Sequence, residues 1–158
     1  MQTFLPYADF QESAHCLDRM RLGKQRVESY QILKVLLGFS KPNKKGIIAW
    51  SNHPAVKMWK GYEVALLWYT LAICKEWTDR NYKDTIREKS LDLFHQKHYD
   101  FDKLIYDNHE VPDWLGNQQF HDSHKSNLLR KNKEYYSRFE WSTPDDLPYI
   151  WPTNTLDF

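Results

Sequence analysis

Along most of the chain, apolar residues recur at helical rather than alternating spacing. Residues 1–8 are short and extended in character, and Pro6 argues against helix there. Asp9 is placed to cap a helix beginning near Phe10, with Glu12 in its first turn and Ala14, Leu17 and Met20 turned inward. Gly23 is a point at which residues 10–37 divide into two helices or bend as one, and Gly38 is the C-terminal stop. Asn52-His53-Pro54 opens the longest predicted helix, with Ser51 or Asn52 as cap and Pro54 in the first turn. Its apolar series, Val56, Trp59, Val64, Leu67, Leu71, Cys74 and Trp77, runs to about Arg80. Ala55, Leu66 and Ile73 widen that series to more than one side, which predicts a central position. Gly61 inside it is read as a place of close approach. Residues 84–98 form a further helix capped by Asp84, with Ile86, Leu91 and Phe94 inward. Residues 99–116 read as irregular. Asn117 starts a helix through about Lys131, with Phe120, Leu128 and Leu129 inward. Pro144, Pro148 and Pro152 keep the C-terminus out of regular helix.

No internal repeat, low-complexity tract or strand pair stands out. The predicted fold is all-α: a compact helical bundle of about five helices with an extended C-terminal tail. At 158 residues the chain is read as one domain, 1–158.

The pattern has one unusual face. Arg21, Lys24, Glu28 and Gln31 stand at i, i+3, i+7 and i+10 and stack into a stripe, with Gln25 beside it and Arg26 at its edge. Leu17, Met20, Val27, Ile32 and Leu33 leave the remaining circumference for packing. Two readings are open. Lys24 and Glu28 form an ordinary i,i+4 ion pair on a solvated face. Alternatively, a carboxylate set among cations and amides is a site, with Glu28 as general acid or base or as the stabiliser of a cationic sugar, and arginines for phosphates.

A second polar face holds His121, His124 and Asn127, with Arg130 and Lys131 following. It reads as a polar outer face or as ligand contacts. A zinc site needs about three protein ligands, and two His at i, i+3 without paired Cys or a further motif do not supply them. His95, His98 and His109 have no spacing that fixes them as additional ligands, so no metal is assigned. A third segment interleaves rings and cations: Arg130, Lys131, Lys133, Tyr135, Tyr136, Arg138, Phe139 and Trp141. Such a mixture suits an unstacked base and its phosphates, or core packing of the tail. The loop 39–52 carries Lys41, Lys44 and Lys45 with Pro42, Asn43 and Gly46, and is either solvated or a phosphate contact.

Composition changes this picture little. Lysines and arginines number 22 against 21 acidic residues, a net charge of +1. That balance does not announce a nucleic-acid binder, although it leaves room for a local basic face. Aromatics make up 16% of the chain, enough to fill a core with large rings. No apolar run reaches the roughly 18 residues of a membrane span, and the N-terminus lacks the basic and apolar regions of a signal peptide. Cys16 and Cys74 sit in helical patterns and read as small buried residues, so an intracellular, reducing, cytoplasmic setting is expected. The five glycines never cluster into a phosphate-cradling loop, and no serine lies in a nucleophile elbow.

Taken in order, these pieces resemble the pyrimidine-dimer DNA glycosylase family, the phage-type endonuclease V, in its broader phage and bacterial branch. The resemblance rests on a short N-terminal arm and on Asp18, Lys24, Glu28 and Gln31 in an early helix. It includes the His53-Pro54 opening of a long apolar helix and the aromatic, basic segment Lys133–Arg138. It implies an all-α enzyme that needs no cofactor or metal and binds double-stranded DNA containing a damaged or modified base, as a monomer and away from membranes. It further implies that an amine attacks C1′, releases the base and forms an imine, with β-elimination as an AP-lyase step. Glu28 matches the family's glutamate, and Arg21 and Arg26 its phosphate-holding arginines. The remaining ligand-contacting candidates are Gln25, Gln31, His53, His124, Asn127, Arg130, Lys131, Tyr135 and Tyr136.

In the family's well-known members the nucleophile is the α-amine of a Thr exposed by removal of Met1. Here residue 2 is Gln2, whose bulk hinders that removal. The amine then belongs to Met1, or Thr3 is exposed by another processing route, or Lys24 replaces it with help from Arg21 and Arg26. An α-amine leaves a usable neutral fraction at neutral pH. Two other readings remain: an enzyme acting on an N-glycosidic bond of a nucleotide or modified base, and a non-catalytic nucleic-acid-binding module.

Overall fold

A computed structural model of the protein describes residues 1–101, 103 and 111–152. Among these residues seven α-helices and one 3-10 turn form, and no strand. The helices are α1 (Phe10–Cys16), α2 (Arg19–Leu36), α3 (Pro54–Trp59), α4 (Glu63–Asp79), α5 (Ile86–Gln96), α6 (Gln118–Lys131) and α7 (Lys133–Tyr136), followed by the 3-10 turn Ser137–Phe139. The all-α class is as expected, with the helices shorter and more numerous. His109 and the end of the tail lie outside the described residues. No helix among the described residues is long and apolar enough to cross a membrane.

Capping explains most boundaries. Asp9 accepts the Glu12 N–H at 2.8 Å, and Asn117 accepts that of Phe120 at 3.1 Å. Gly38 ends the α2 region at φ +76, where a side chain would be strained. Two breaks differ from expectation. The first helical stretch divides at Leu17–Asp18 and not at Gly23. There Asp18 takes an extended conformation and caps α2 through Arg21 N–H at 3.1 Å. Its other oxygen accepts the Tyr136 hydroxyl at 2.7 Å, so a fully buried ring pins the junction. The long helix divides too, because Gly61 turns the chain at φ +86 between α3 and α4.

The two glycines thus exchange the roles read for them. Gly23 lies inside α2, where a Cβ would stand 3.1 Å from two atoms of the Trp77 ring. Its missing side chain lets α2 lie against α4. Arg26 stacks over the same Trp77 at 4.3 Å and pairs with Asp84. Asp84 also receives the Ile86 and Arg87 N–H groups, so it caps α5 as predicted from one residue further out.

Helix α4 is central and packs on α1, α2 and α5, burying Leu66, Tyr69, Thr70 and Ile73. Cys16 and Cys74 are buried and free, and burial pushes the Cys16 thiol up to about 12. Met20 and Val27, read as inward, are 69% and 40% exposed. Their side of α2 looks onto an open cleft, and among the described residues no neighbour covers them.

The N-terminal arm is buried, with Thr3 and Leu5 fully inaccessible. An extended segment without a strand partner must satisfy its peptide groups elsewhere. Here polar helix side chains do this. Gln25 Oε1 accepts the Phe4 N–H at 2.7 Å, and His124 Nδ1 accepts that of Leu5 at 3.0 Å. His121 Nδ1 meets the Leu5 carbonyl at 2.7 Å, and the Tyr69 hydroxyl donates to the Phe4 carbonyl at 3.0 Å. Thr3 Oγ1 accepts the indole N–H of Trp59 at 2.9 Å. The arm is therefore threaded between α2, α4 and α6, and its first residues are held in a fixed place.

Candidate active site

That place is the polar stripe of α2. Glu28 Oε2 accepts the Gln2 peptide N–H at 3.2 Å and the Gln25 amide at 3.1 Å. Gln25, 1% exposed, spends its own oxygen on the Phe4 N–H and on the Tyr69 hydroxyl at 2.7 Å, whose one proton is shared between that oxygen and the Phe4 carbonyl. The carboxylate is thus oriented by a buried relay running from α4 through α2 to the arm. Burial, and then the Glu28 charge, raise the Tyr69 phenol well above its ordinary value, which keeps it a neutral donor in this relay.

Two clefts meet at Glu28. The smaller, about 270 Å³, is lined by Met1, Gln2, Phe4, Arg21, Gln25, Lys131 and Tyr149. The larger, about 880 Å³, is lined by Asp18, Arg19, Gly23, Arg26, Val27, Gln31, Trp77 and Tyr135. Met20, Lys24 and Glu28 line both. Arg21 is held at 2.8 Å by Asp18 and reaches the Lys131 carbonyl at 3.2 Å, which joins the α6 end to the stripe. Arg21, Lys24 and Lys131 make a cationic rim that the chain's near-zero net charge conceals.

His53 stands beside this rim. Burial is the main cause that lowers its pKa. The Met1 ammonium adds to the lowering and the Glu28 carboxylate opposes it, so both groups lie within electrostatic reach of the ring. Tyr149 is pushed up to about 12, mainly by burial; Gln2, Arg130 and Arg21 pull it down and Glu28 adds to the rise.

The structure brings Met1, Arg21, Lys24, Gln25, Glu28, Gln31, Lys131 and Tyr135 to these clefts. Other candidates are occupied by the protein itself. Arg26 borders the larger cleft, but its guanidinium is committed to Asp84 and Trp77. His124 is fully buried and holds Leu5, with its pKa pushed down to about 3 by burial. Asn127 donates to the Ser123 carbonyl at 2.8 Å. Arg130 clamps the Asp145 and Leu147 carbonyls at 2.7 and 2.6 Å. Tyr136 is sealed against Asp18. In all five the arm, the tail or a neighbouring element already supplies partners for the polar group. Gln25 lines the smaller cleft but acts chiefly by orienting Glu28. Among the described residues no three His, Cys, Asp or Glu side chains converge as a metal site. Gln2 and Tyr149 were not expected in the cleft; nothing local in the sequence marks Tyr149, which arrives with the tail.

A model of the pyrimidine dimer DNA glycosylase family matches residues 1–90, more than half of the chain and all of α1 to α4. The chain belongs to this family. The matched part carries the arm, Arg21, Lys24, Gln25 and Glu28, and so most of the small cleft, with His53 nearby. Family membership makes the chain a DNA glycosylase that acts on DNA. No curated protein and no solved structure matches it.

Proposed function

We propose that this glycosylase excises a damaged or modified pyrimidine with the α-amine of its N-terminal residue as nucleophile, Glu28 as its partner and an AP-lyase step to follow. One observation carries the reading: the Glu28 carboxylate bonds the first peptide N–H of the chain, at Gln2, which tethers the terminal amine of Met1 beside it in a cleft. The arm's burial fixes that tether, so the amine is positioned before DNA arrives.

In this reading the neutral amine attacks C1′. A C–N bond to the protein forms, the glycosidic bond breaks, and the base leaves with a proton. Loss of the amine proton and opening of the sugar ring give an imine at C1′. Removal of a C2′ proton then expels the 3′ phosphate. Glu28 offsets positive charge at the sugar and moves the protons. Lys24 and Lys131 hold the flanking phosphates, and Arg21, tied to Asp18 and to the Lys131 carbonyl, adds positive charge beside them. Lys24 is exposed, so burial does not prime it as a nucleophile.

Borohydride trapping tests this directly. A duplex with one thymine dimer, and one with an abasic site, should each give a covalent adduct, and peptide mapping should place the DNA on residue 1. An adduct on Lys24 would move the nucleophile to the helix. No adduct with either duplex would remove the imine mechanism.

A further inference from the structure

Residue 2 contributes more to the small cleft than its peptide N–H. Gln2 is 7% exposed, and its side-chain oxygen accepts the Thr3 N–H at 2.7 Å. That bond fixes which end of the amide is oxygen, since a peptide N–H needs an acceptor. Nε2 therefore stands at the other end, buried and without a hydrogen-bond partner. A buried donor left unspent is uncommon and asks for a reason. Burial pushes the Tyr149 phenol up to about 12 and the Gln2 amide pulls it down, so the two groups are close, yet no hydrogen bond of proper geometry joins them. Both residues line the cleft that holds Met1 and Glu28.

The chemistry proposed for the Met1 amine generates charge close to this donor. As the amine nitrogen bonds C1′, the electron pair of the C1′–N1 bond passes to N1 of the base. In a pyrimidine with its C5=C6 bond intact, that charge spreads onto both carbonyl oxygens. In a 5,6-saturated pyrimidine, which is the state of both rings of a dimer, only the C2 carbonyl is conjugated with N1. The C2 oxygen is also the carbonyl oxygen nearer to C1′. A fixed donor at that oxygen acts as an oxyanion hole does: it binds the transition state more strongly than the ground state.

We propose that Gln2 Nε2 donates to the C2 carbonyl oxygen of the departing pyrimidine and so makes the base a better leaving group. The base then leaves with the proton that the amine yields to Glu28. The inference rests on the amine–glutamate reading and adds to it a determinant of specificity. A saturated pyrimidine gains most from the donor, because its charge has no second oxygen to reach.

The test follows the borohydride-trapped adduct in single turnovers at saturating protein, so that affinity drops out. Two duplexes are compared, one with a single thymine dimer and one with an abasic site, which has no base to expel. The proteins are the wild type, Gln2→Met and Gln2→Glu. Both replacements are about as bulky as Gln, so Met1 stays in place, and intact mass checks this. Gln2→Met removes the amide with little change of shape. Gln2→Glu keeps the bond to Thr3 and puts an acceptor where the donor stood. The ratio of dimer to abasic rate should fall about 10- to 100-fold in both variants. Effects on the arm, the amine or the sugar slow both duplexes and cancel in the ratio. A ratio equal to wild type in either variant overturns the donor, and if one variant fails to fold, the other decides. If the wild type forms no adduct with either duplex, the amine reading itself fails and the donor falls with it. A wild-type adduct with the abasic duplex alone leaves the amine standing and overturns the donor.

Discussion

Helices α2 and α6 each present a polar face, and the two faces have opposite fates. On α2, Arg21, Lys24 and Glu28 border clefts, with Lys24 in solvent. On α6, His121, His124, Asn127 and Ser126 are buried, and Arg130 is drawn along the surface to the tail. Both faces hold the N-terminal arm, α2 through Gln25 and Glu28 and α6 through the two histidines. The difference lies in what covers them next. The tail crosses α6, where Ser126 and Ser123 receive the Leu147 and Ile150 N–H groups at 2.9 and 3.2 Å. No described segment closes over α2 in the same way. A polar helix face therefore becomes a candidate site where the described segments leave it bordering a cleft.

Replacing Glu28 by Gln gives the largest expected effect of any substitution on either face. Gln keeps an acceptor for the Gln2 N–H and nearly the same volume, so the arm should stay in place. The carboxylate that the proposed mechanism uses to move protons is lost. Cleavage of dimer and abasic duplexes should fall about 100- to 10,000-fold, while the melting temperature stays near that of wild type. A parallel collapse of stability would mean that Glu28 is an anchor of the arm, and the contrast with α6 would disappear.

His124→Asn tests the closed face. Asn Oδ1 can take the place of Nδ1 toward Leu5, but the ring packing against Phe120 at 4.4 Å is lost. A cost of about 1–3 kcal/mol at pH 7 is expected in urea unfolding. The pH dependence is more telling. His124 stays neutral in the fold down to about pH 3, whereas an unfolded His binds a proton near pH 6.5. Above pH 6.5 neither state is protonated and the group contributes no slope. As pH falls from 6.5 toward 3, only the unfolded chain takes up the proton, so stability drops by up to about 1.4 kcal/mol per unit. His121 is shifted in the same direction and adds to the trend. Between pH 7 and pH 5 the wild type should lose about 2 kcal/mol more than His124→Asn. Equal losses would mean that His124 is hydrated or charged in the fold.

The same contrast explains what the sequence could reveal. Caps were legible because they are local: Asp9, Asn117 and Gly38 each act within a few residues of themselves. The stripe from Arg21 to Gln31 was legible because helical spacing alone aligns it. Whether a face is open or covered is decided by segments far along the chain. Asp18 ends one helix through Tyr136, 118 residues away, and His124 meets Leu5 across 119. Met20 and Val27 carry the apolar periodicity of buried residues, yet no described element packs on them. Gly23 and Gly61 differ in what the fold asks of each, close approach to Trp77 for one and a left-handed turn for the other. The buried arm was the least legible part, since its peptide groups are satisfied by side chains from three different helices.

Arg130→Met separates the tail from the site. It removes two bonds to tail carbonyls and keeps the apolar stem. A stability loss of about 1–2 kcal/mol is expected, with faster amide exchange over residues 145–150. Affinity for DNA should lose little of its salt dependence, because that guanidinium is already committed. A clear drop in the salt slope would put α6 back among the binding faces.

The smallest effect is expected from Lys24→Gln, and it is the most specific to the open face. Lys24 is exposed and lines both clefts. A lysine that neutralises one phosphate releases about one condensed counterion, so the slope of log affinity against log salt should shrink by about 0.9. Affinity at moderate salt should fall by a modest factor, equally for damaged and undamaged duplexes, since a phosphate contact reads no base. The borohydride adduct should still form on residue 1. Lys131→Gln should behave alike, and the pair should add in slope because the two cations contact different phosphates. Loss of the adduct in Lys24→Gln with an unaltered slope would reverse the assignment: Lys24 would be the nucleophile, and the buried arm would serve only to aim Glu28 at it.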